Sequence, residues 1–331
     1  MKEQFNRMIE EADSVCVLGH INPDGDCLGS TLGVRAYIRN RYPGKRVNVY
    51  LMEANRKFAY LPGFDSIVHI PSDRKYDLAI LCDCATLDRL GDFGILARNA
   101  KQTFIADHHI TNSNAASGTA QILPHASSTC EVVFDLMERE NIDQDCAVCL
   151  YTGIIHDTGV FKYSATSPHT MEIAGFLMGK GIDFGHIIDD SFYFRTYAQQ
   201  QVQGRVLLES MLLMDRRVLV SWLTMKEMRF YNVSSKDIDG IVATMRETRG
   251  VDAAVFLYEI ANQVYKVSLR SNNPGVDVSA IAAHFGGGGH RMAAGCSLAG
   301  SAHDVINNIT RELSIQMDAA DFVSNAAREQ E

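Results

Sequence analysis

Short apolar runs alternate with stretches of helical periodicity along the first half of the chain. The apolar runs that predict β-strands are residues 14–19, 46–51, 76–83 and 102–109. The stretches in which apolar residues recur at helical spacing are residues 1–13, 27–39, 145–155 and a segment that begins at Ser167-Pro168. Strands that alternate with helices in this order are typical of an α/β fold with a doubly wound, mostly parallel sheet.

The second half of the chain has a different pattern of apolar positions. It contains a strand pattern at 217–223, a helix pattern at 235–248, a hairpin pattern at 253–259 and 263–270, a short helix at 278–285 and an amphipathic helix at 302–318. Because 331 residues exceed what one hydrophobic core usually serves, the pattern predicts a second, smaller α/β domain. We predict a first domain at 1–190, a linker at 191–205, a second domain at 206–318 and a tail at 319–331.

Composition and charge narrow the class of protein. With 46% hydrophobic and 21% charged residues, and no apolar run long enough to span a bilayer, the chain has the character of a globular protein without a membrane partner. Its first residues lack the apolar core of a signal peptide, which favours a cytoplasmic location. The eight cysteines lie mostly in apolar segments, so we expect reduced, buried thiols, with Cys146 and Cys149 packed inside a helix. A net charge of −9 disfavours long duplex nucleic acid as a partner but allows short nucleotides.

Candidate chemistry begins in the turn after the first strand pattern. The segment Asn22-Pro-Asp-Gly25 has a sequence typical of a tight turn. Asp24 lies within this turn, and His20 and Asp26 lie on either side of it. In open α/β sheets, the carboxyl edge of the strands is where ligands bind. One imidazole and two carboxylates form a ligand set that suits Mg²⁺ or Mn²⁺. Taken alone, the same residues are also consistent with a solvated turn in front of a helix.

Acids and histidines farther along the chain favour the metal interpretation. Asp83 ends the third strand pattern, Asp107, His108 and His109 end the fourth, and Asp157 follows the helix pattern 145–155. Right-handed crossovers return parallel strands in one orientation, so the ends of these strands meet at one edge of the sheet. The sequence therefore predicts a cluster of carboxylates and imidazoles at that edge.

Three other segments are candidates for contact with a phosphate or another ligand. Ser128 and Glu131 have the spacing of a capping box at a helix start, which either serves structure alone or receives a phosphate. Gly29 and Ser30 lie in the first turns of another predicted helix, where small residues would let a phosphate approach the backbone. The four glycines 286–289 predict either a backbone that approaches something closely or a flexible loop.

Together these motifs resemble the DHH phosphoesterases that carry a DHH-associated C-terminal domain. His20-Ile-Asn-Pro-Asp-Gly-Asp26 is similar to the first motif of that family, Asp83 to the second, Asp107-His-His109 to the third and Asp157 to the fourth, while Arg270 and Gly287-Gly-Gly-His290 resemble the signature of the associated domain. The resemblance covers nearly the whole chain. It implies an active site in the cleft between the two domains.

The resemblance also implies a centre of two Mn²⁺ ions per chain, with Mg²⁺ as the other candidate. His20 and Asp24 would bind one ion, Asp26, His108 and Asp157 would bind the other, and Asp83 would bridge the two. His109 would contact the scissile phosphate or the leaving oxygen, and Asp107 would orient the cluster, so His109, Asp107 and Asp83 are the predicted catalytic residues. The residues that would hold the phosphate end of a nucleotide are Arg270, Gly287, Gly288, Gly289 and His290.

Within the family, the chain is most similar to the small nanoRNase and pAp phosphatase branch. This implies a Mn²⁺-dependent phosphoesterase that hydrolyses short oligoribonucleotides, 3′-phosphoadenosine 5′-phosphate (pAp), or both. The alternative substrates are cyclic di-AMP and linear pApA. A degenerate interaction module or a nucleotide sensor without turnover would have lost metal-binding residues such as Asp83 or His108, which are present. A homodimer is compatible with the sequence.

One position departs from the family pattern. The family often has a threonine directly after the acid of its second motif, whereas Cys84 and Ala85 follow Asp83 in this chain. The departure puts the polar support of the Asp83 carboxylate in question.

Overall fold

A computed structural model describes residues 1–110, 112 and 119–328, with side chains described as far as Asp321. The chain forms two compact units, Met1–Phe194 and Arg195–Glu331. No helix within the described residues is both long enough and apolar enough to cross a membrane.

The first unit contains a five-stranded sheet in which every pair of neighbours is parallel. Its strands are β1 (Ser14–Leu18), β2 (Arg46–Tyr50), β3 (Leu78–Cys82), β4 (Gln102–Asp107) and β5 (Thr119–Ile122), in the order β2-β1-β3-β4-β5. Leu18 pairs with Leu81, and Leu81 pairs with Ile105, so β1, β3 and β4 end at the same level. The predicted parallel sheet is confirmed, and its register brings the polar residues after these strands to one edge.

Helices cover both faces of this sheet. They are α1 (Lys2–Glu11), α2 (Gly25–Arg41), α3 (Gly94–Asn99), α4 (Thr129–Leu136), α5 (Gln144–Asp157), α6 (Pro168–Met178) and α7 (Phe184–Ile188). In β1, Val15 and Val17 pack into the core beneath α2 and α5, whereas Cys16 and Leu18 pack into the core beneath α3. The continuous apolar run of β1 is explained by burial on both faces, as expected for a central parallel strand.

The close packing of α2 against α5 corrects one expectation. A Cβ atom at Gly29 would lie 2.5 Å from the backbone oxygen of Cys149, and one at Gly33 would lie 2.8 Å from Leu150 Cδ2. The small residue at position 29 therefore admits the neighbouring helix and not a phosphate. Ser30 is also used internally, because its hydroxyl donates to the backbone oxygen of Asp26.

The second unit contains a six-stranded sheet. Its strands are β6 (Met211–Leu213), β7 (Val218–Leu223), β8 (Ala253–Ala261), β9 (Val264–Ser271), β10 (Gly288–His290) and β11 (Ala293–Ala299), in the order β10-β11-β9-β8-β7-β6. All neighbours are antiparallel except β7 and β8. Its helices are α8 (Tyr197–Leu208), α9 (Met225–Phe230), α10 (Ile241–Arg246), α11 (Val278–His284) and α12 (Ala302–Arg328). The predicted second α/β region is confirmed, with α11 and α12 on one face of the sheet and α8 and α10 on the other.

Two predicted helices differ from the structure. The helix predicted at 235–248 is reduced to α10, because Asp237 accepts hydrogen bonds from the amide and hydroxyl of Ser234 in a separate turn, and Gly240 has a left-handed φ of 89° just before α10 begins. The closing helix runs beyond 318 to Arg328. Asp321 in that extension accepts hydrogen bonds from Arg217, which ties the extra turns to the sheet.

The domain boundaries stay predictions. The predicted linker 191–205 includes much of α8, whose Val202 and Val206 are buried in the core of the second unit. Residues 329–331 of the predicted tail lie outside the described residues.

Candidate metal centre

Asp83 lies at the middle of a cluster at the carboxyl edge of the parallel sheet. One of its carboxylate oxygens is 3.3 Å from His20 Nε2, and the other is 3.8 Å from His108 Nε2 and 3.5 Å from His109 Nδ1. Asp83 is 3% exposed. Its φ of 54° is in the left-handed region, which is uncommon for a residue other than glycine and is often found at functional sites. The ends of three strands thus converge on one carboxylate.

The turn after β1 adds two more acids. Asp24 is the N-cap of α2: its Oδ1 accepts from the amides of Asp26 and Cys27 at 3.1 Å each and lies 3.7 Å from His20 Nε2. Its side chain is 60% exposed, so this acid is accessible from solvent. Asp26, in contrast, is fully buried.

The carboxylate of Asp26 caps a second helix. It accepts from the backbone amides of Thr129 at 2.6 Å and Cys130 at 2.9 Å, the first two residues of α4. The N-terminus of α4 is therefore filled by a carboxylate, which decides against a phosphate at that helix start. Ser128 accepts from the amide of Glu131, but the Glu131 carboxylate accepts from the hydroxyls of Ser127 and Thr170, so the expected capping box is only half formed.

Asp157 completes the cluster from the C-terminal end of α5. Its Oδ2 is 3.3 Å from His108 Nε2. Asp26, His108 and Asp157 each place one donor atom within 4.8 Å of the others. These three residues are the set predicted for the second ion, and the structure brings them together.

The electrostatics of the cluster fit divalent cations. Burial, reinforced by the charges of Asp83 and Asp24, raises the pKa of Asp157 to about 8. Burial, together with Asp157, Asp83 and Asp24, also raises the pKa of Asp26 well above its usual value. Buried carboxylates this close repel one another, and bound cations would offset that repulsion. Oxygen and imidazole donors at this spacing are the ligands expected for Mn²⁺ or Mg²⁺.

Asp107 has a different task from the other acids. It is fully buried, and its Oδ1 accepts from the amides of His108 and His109 and lies 2.8 Å from His109 Nδ1. The bond to Asp107 raises the pKa of His109 against the effect of burial. Asn112 Nδ2 donates to the other oxygen of Asp107. No described residue hydrogen-bonds His109 Nε2, so this is the ring atom that can contact a substrate.

Thr129 provides the polar contact to Asp83 that Cys84 and Ala85 left in question. Its hydroxyl donates to Asp83 Oδ1 at 3.2 Å, from the first turn of α4. Polar support of the Asp83 carboxylate therefore comes from a helix 46 residues away in the sequence. The sequence shows no sign of this role of Thr129, because a threonine after an N-cap serine is common at the start of any helix.

Two glycines make room for the cluster. A Cβ atom at Gly25 would lie 2.2 Å from Cγ of His156, and one at Gly153 would lie 2.8 Å from Asp26 Oδ1. Gly153 was missed by sequence reasoning. An isolated glycine in the apolar helix pattern 145–155 was the available signal, since such a residue often has a packing reason.

The predicted substrate residues lie in the second unit. Arg270 on β9 and His290 on β10 both pair with Ala293 of β11, so they occupy one row and one face of the sheet. Arg270 is half-buried, its pKa is lowered by that burial, and its Nη1 donates to the backbone oxygen of Leu269. His290 is exposed.

The glycine run is part of the sheet. A Cβ atom at Gly287 would lie 2.2 Å from the backbone oxygen of Gly295, and one at Gly289, whose φ is 147°, would lie 2.5 Å from the backbone oxygen of Ala293. Gly288 has open space around it. Close backbone approach was the correct alternative, and for two of the glycines the partner is β11.

Comparisons with known proteins identify the family. The DHH family N-terminal domain matches residues 14–154, and the DHHA1 domain matches residues 215–315. The chain belongs to the DHH–DHHA1 phosphoesterases. The DHH match includes the predicted metal ligands from His20 to His108, Asp157 follows just beyond its end, and the DHHA1 match includes Arg270 and His290. The DHH family is a family of hydrolytic phosphoesterases, so the chain is an enzyme of that kind.

Several relatives of this DHH–DHHA1 chain have assigned names. It is 28% identical to a probable bifunctional oligoribonuclease and PAP phosphatase of Streptococcus mutans, over 87% of this chain and 91% of that protein. It is 25% identical to the bifunctional oligoribonuclease and PAP phosphatase of Bacillus subtilis, over 90% of this chain and 93% of that protein. The crystal structure of an exopolyphosphatase-related protein from Bacteroides fragilis has a TM-score of 0.82 and 26% identity, with 95% of each chain covered.

Proposed function

We propose that this DHH–DHHA1 protein is a Mn²⁺-dependent phosphoesterase that hydrolyses short oligoribonucleotides and pAp by a two-metal mechanism. The observation that carries the proposal is the position of Asp83 between two groups of donors, His20 with Asp24 on one side and His108 with Asp157 and Asp26 on the other. Two divalent cations held there would supply a hydroxide nucleophile at neutral pH and neutralise charge on the phosphoryl oxygens.

The protein's own residues have separate tasks in this proposal. Thr129 holds the Asp83 carboxylate between the two groups, and the amides of α4 hold Asp26. Asp107 fixes the ring of His109 through Nδ1, so that Nε2 is turned toward the scissile phosphate or the leaving oxygen. Orientation of this kind by an outer partner is typical of metal centres in enzymes.

The substrate class follows from the named relatives and from the second unit. Arg270 and His290, in one row of the sheet, would hold a phosphate of the nucleotide that is not cleaved. The exposed backbone beside Gly288 would contribute amide donors.

A substrate panel tests the proposed function. The metal-free protein is reloaded with Mn²⁺ or Mg²⁺, and turnover is measured on pAp, RNA dinucleotides and five-mers, cyclic di-AMP and pApA. We expect turnover of pAp and short RNA with Mn²⁺ and none after EDTA treatment. Turnover of cyclic di-AMP or pApA alone would replace the proposed substrates with the alternative ones, and full activity in EDTA would rule out the metal mechanism.

Substitutions in the second unit test the division of labour. Arg270→Ala and His290→Ala should leave bound metal unchanged while lowering kcat/KM for pAp by about 10- to 150-fold, the equivalent of a charge-assisted contact of about 1.5–3 kcal/mol. Hydrolysis of bis-p-nitrophenyl phosphate, which has no second phosphate to hold, should barely change. Equal losses on both substrates, or loss of metal, would show that these residues do not act as a remote phosphate clamp.

A further inference from the structure

The two sides of the candidate metal centre differ by one sulfur atom. Asp26, His108 and Asp157 offer only oxygen and nitrogen. On the other side, His20, Cys27 and Asp83 each place one donor atom within 4.8 Å of the others. All three of these residues are at least 97% buried, with exposures of 3%, 0% and 3%. We call them the thiol corner.

The backbone fixes the position of Cys27 in this corner. Cys27 is in the first turn of α2, where its amide donates to Asp24 Oδ1 at 3.1 Å. A Cβ atom at Gly19 would lie 2.3 Å from the Cys27 sulfur, so a glycine before His20 is what allows the thiol to lie against the end of β1. The sulfur is therefore placed by the same turn that places the imidazole.

The three buried side chains of the thiol corner differ in their donor atoms. His20 Nε2 lies 3.3 Å from the Asp83 carboxylate. A buried thiol, a buried imidazole and a buried carboxylate together form a mixed sulfur, nitrogen and oxygen donor set. Such a set favours borderline or soft divalent cations over Mg²⁺ and Mn²⁺.

We propose that Cys27 is a further ligand at the His20–Asp83 position, and that this position prefers a thiophilic divalent cation such as Zn²⁺, Co²⁺ or Fe²⁺. The Asp26–His108–Asp157 position keeps a preference for Mn²⁺ or Mg²⁺, so the two halves of the centre select different ions. As the cation binds, the S–H bond breaks, the proton passes to solvent and a sulfur–metal bond forms. The inference rests on the proposed metal-dependent function and adds a selectivity to one of its two positions.

Cobalt is a suitable probe because it reports its ligands by absorption. Co²⁺ is titrated into the metal-free full-length protein while the near-ultraviolet spectrum is recorded. We expect a sulfur-to-cobalt charge-transfer band in the wild type and its loss in Cys27→Ala. Cys130→Ala is the matched control: Cys130 is equally buried and its sulfur is 3.7 Å from the backbone oxygen of Asp26, but it is outside the thiol corner, so the band should persist.

The outcomes separate this inference from the proposed function. If the wild type binds Co²⁺ without the band, or if the band survives in Cys27→Ala, the thiol is not a ligand, although the metal centre stands. If the wild type binds no Co²⁺, Zn²⁺ or Mn²⁺, the proposed metal function itself fails.

Two further measurements do not depend on the spectrum. X-ray absorption of the Zn²⁺-loaded wild type should show a sulfur neighbour at about 2.3 Å, and a shell of only oxygen and nitrogen would overturn the proposal. Competition titrations should show that Cys27→Ala lowers Zn²⁺ affinity by at least about tenfold. The same substitution should leave Mn²⁺ affinity nearly unchanged, and equal losses for both ions would contradict a selective thiol.

Discussion

Aspartates lie at both ends of the parallel sheet, in opposite surroundings. At the amino edge, the carboxylate of Asp77 is 2.7 Å from Lys101 Nζ and accepts from the amide and hydroxyl of Ser14. The bonds from Lys101 and Ser14 lower the pKa of Asp77 to about 2. At the carboxyl edge, Asp157 is buried beside other acids and its pKa is raised to about 8.

The difference separates Asp77, which serves stability, from Asp157, which is proposed to serve function. The charge of Asp77 is compensated by its neighbours, so ionisation stabilises the fold. With its pKa raised to about 8, Asp157 is largely protonated at neutral pH in the metal-free fold, so folding must take up a proton there and is less favourable. Strongly perturbed acids that cluster in one place are characteristic of functional sites. The four predictions below test this contrast.

The largest effect is expected at Asp83, the acid shared by both sides of the centre. Loss of an outer partner of a metal ligand typically costs about 10- to 100-fold in affinity or activity. Asp83→Ala should cost more than this range in kcat/KM, and it should remove more than one ion per chain, because the carboxylate faces both donor groups. Elemental analysis and turnover of pAp provide the measurement.

Asp24→Ala is the matched control for Asp83. Asp24 lies beside His20 on one side of the centre, so its loss should remove one ion or less. Two ions per chain in the Asp83→Ala protein would refute the bridging role.

The second prediction concerns the support of Asp83. Thr129→Val keeps the shape of the side chain and the backbone amide that donates to Asp26, but it removes the hydroxyl bond to Asp83. We expect a loss of about 10- to 100-fold in metal affinity or kcat/KM, with Thr129→Ser retaining most of both. Equal behaviour of the valine and serine variants would mean that the hydroxyl does not support the acid.

The site was predictable where it depends on chain order along a regular fold. Apolar runs set β1, β3 and β4, and parallel strands must end at one edge, so His20, Asp83 and Asp107 could be brought together from sequence alone. Thr129 and Asn112 could not, because their bonds depend on how α4 and the loop after β4 approach the sheet. Tertiary contacts of this kind leave no local pattern.

The fold was predictable to a similar extent. β5 was missed because Thr119-Ala-Gln-Ile122 is half-exposed throughout and lacks an apolar run. The role of Gly287 and Gly289 depends on the register of β10 against β11, which cannot be read from a run of glycines. Element types followed from periodicity, whereas these positions required the third dimension.

The third prediction is a substitution at a proposed metal ligand that increases the stability of the metal-free protein. Asp157→Asn should stabilise the metal-free protein at pH 7, by about 0.5–2 kcal/mol, because the amide is neutral without the proton uptake that burial of Asp157 requires at this pH. With Mn²⁺ present the same substitution should lower stability, because a proposed ligand is lost. Urea unfolding with EDTA and with Mn²⁺ measures both signs. A less stable metal-free variant would contradict the account of the carboxyl edge.

The smallest effect is expected at the amino edge, where Asp77→Asn should destabilise the protein by about 1 kcal/mol at pH 7. Lys101 is largely exposed, so water screens its attraction to Asp77, and an asparagine oxygen can still accept from Ser14. The folded-state pKa of Asp77 is lowered, so its stabilising effect is complete above its unfolded value of about 4 and is lost as the pH falls toward 2. The stability gap between wild type and variant, measured by urea unfolding, should therefore be constant from pH 7 to 5 and shrink below pH 4. Lys101→Met should show a smaller difference in free energy of unfolding from the wild type, with the same dependence on pH. A difference that shrinks between pH 7 and 5 would mean that another group is responsible. Asp77 would then not be the stabilising acid that the comparison of the two edges requires.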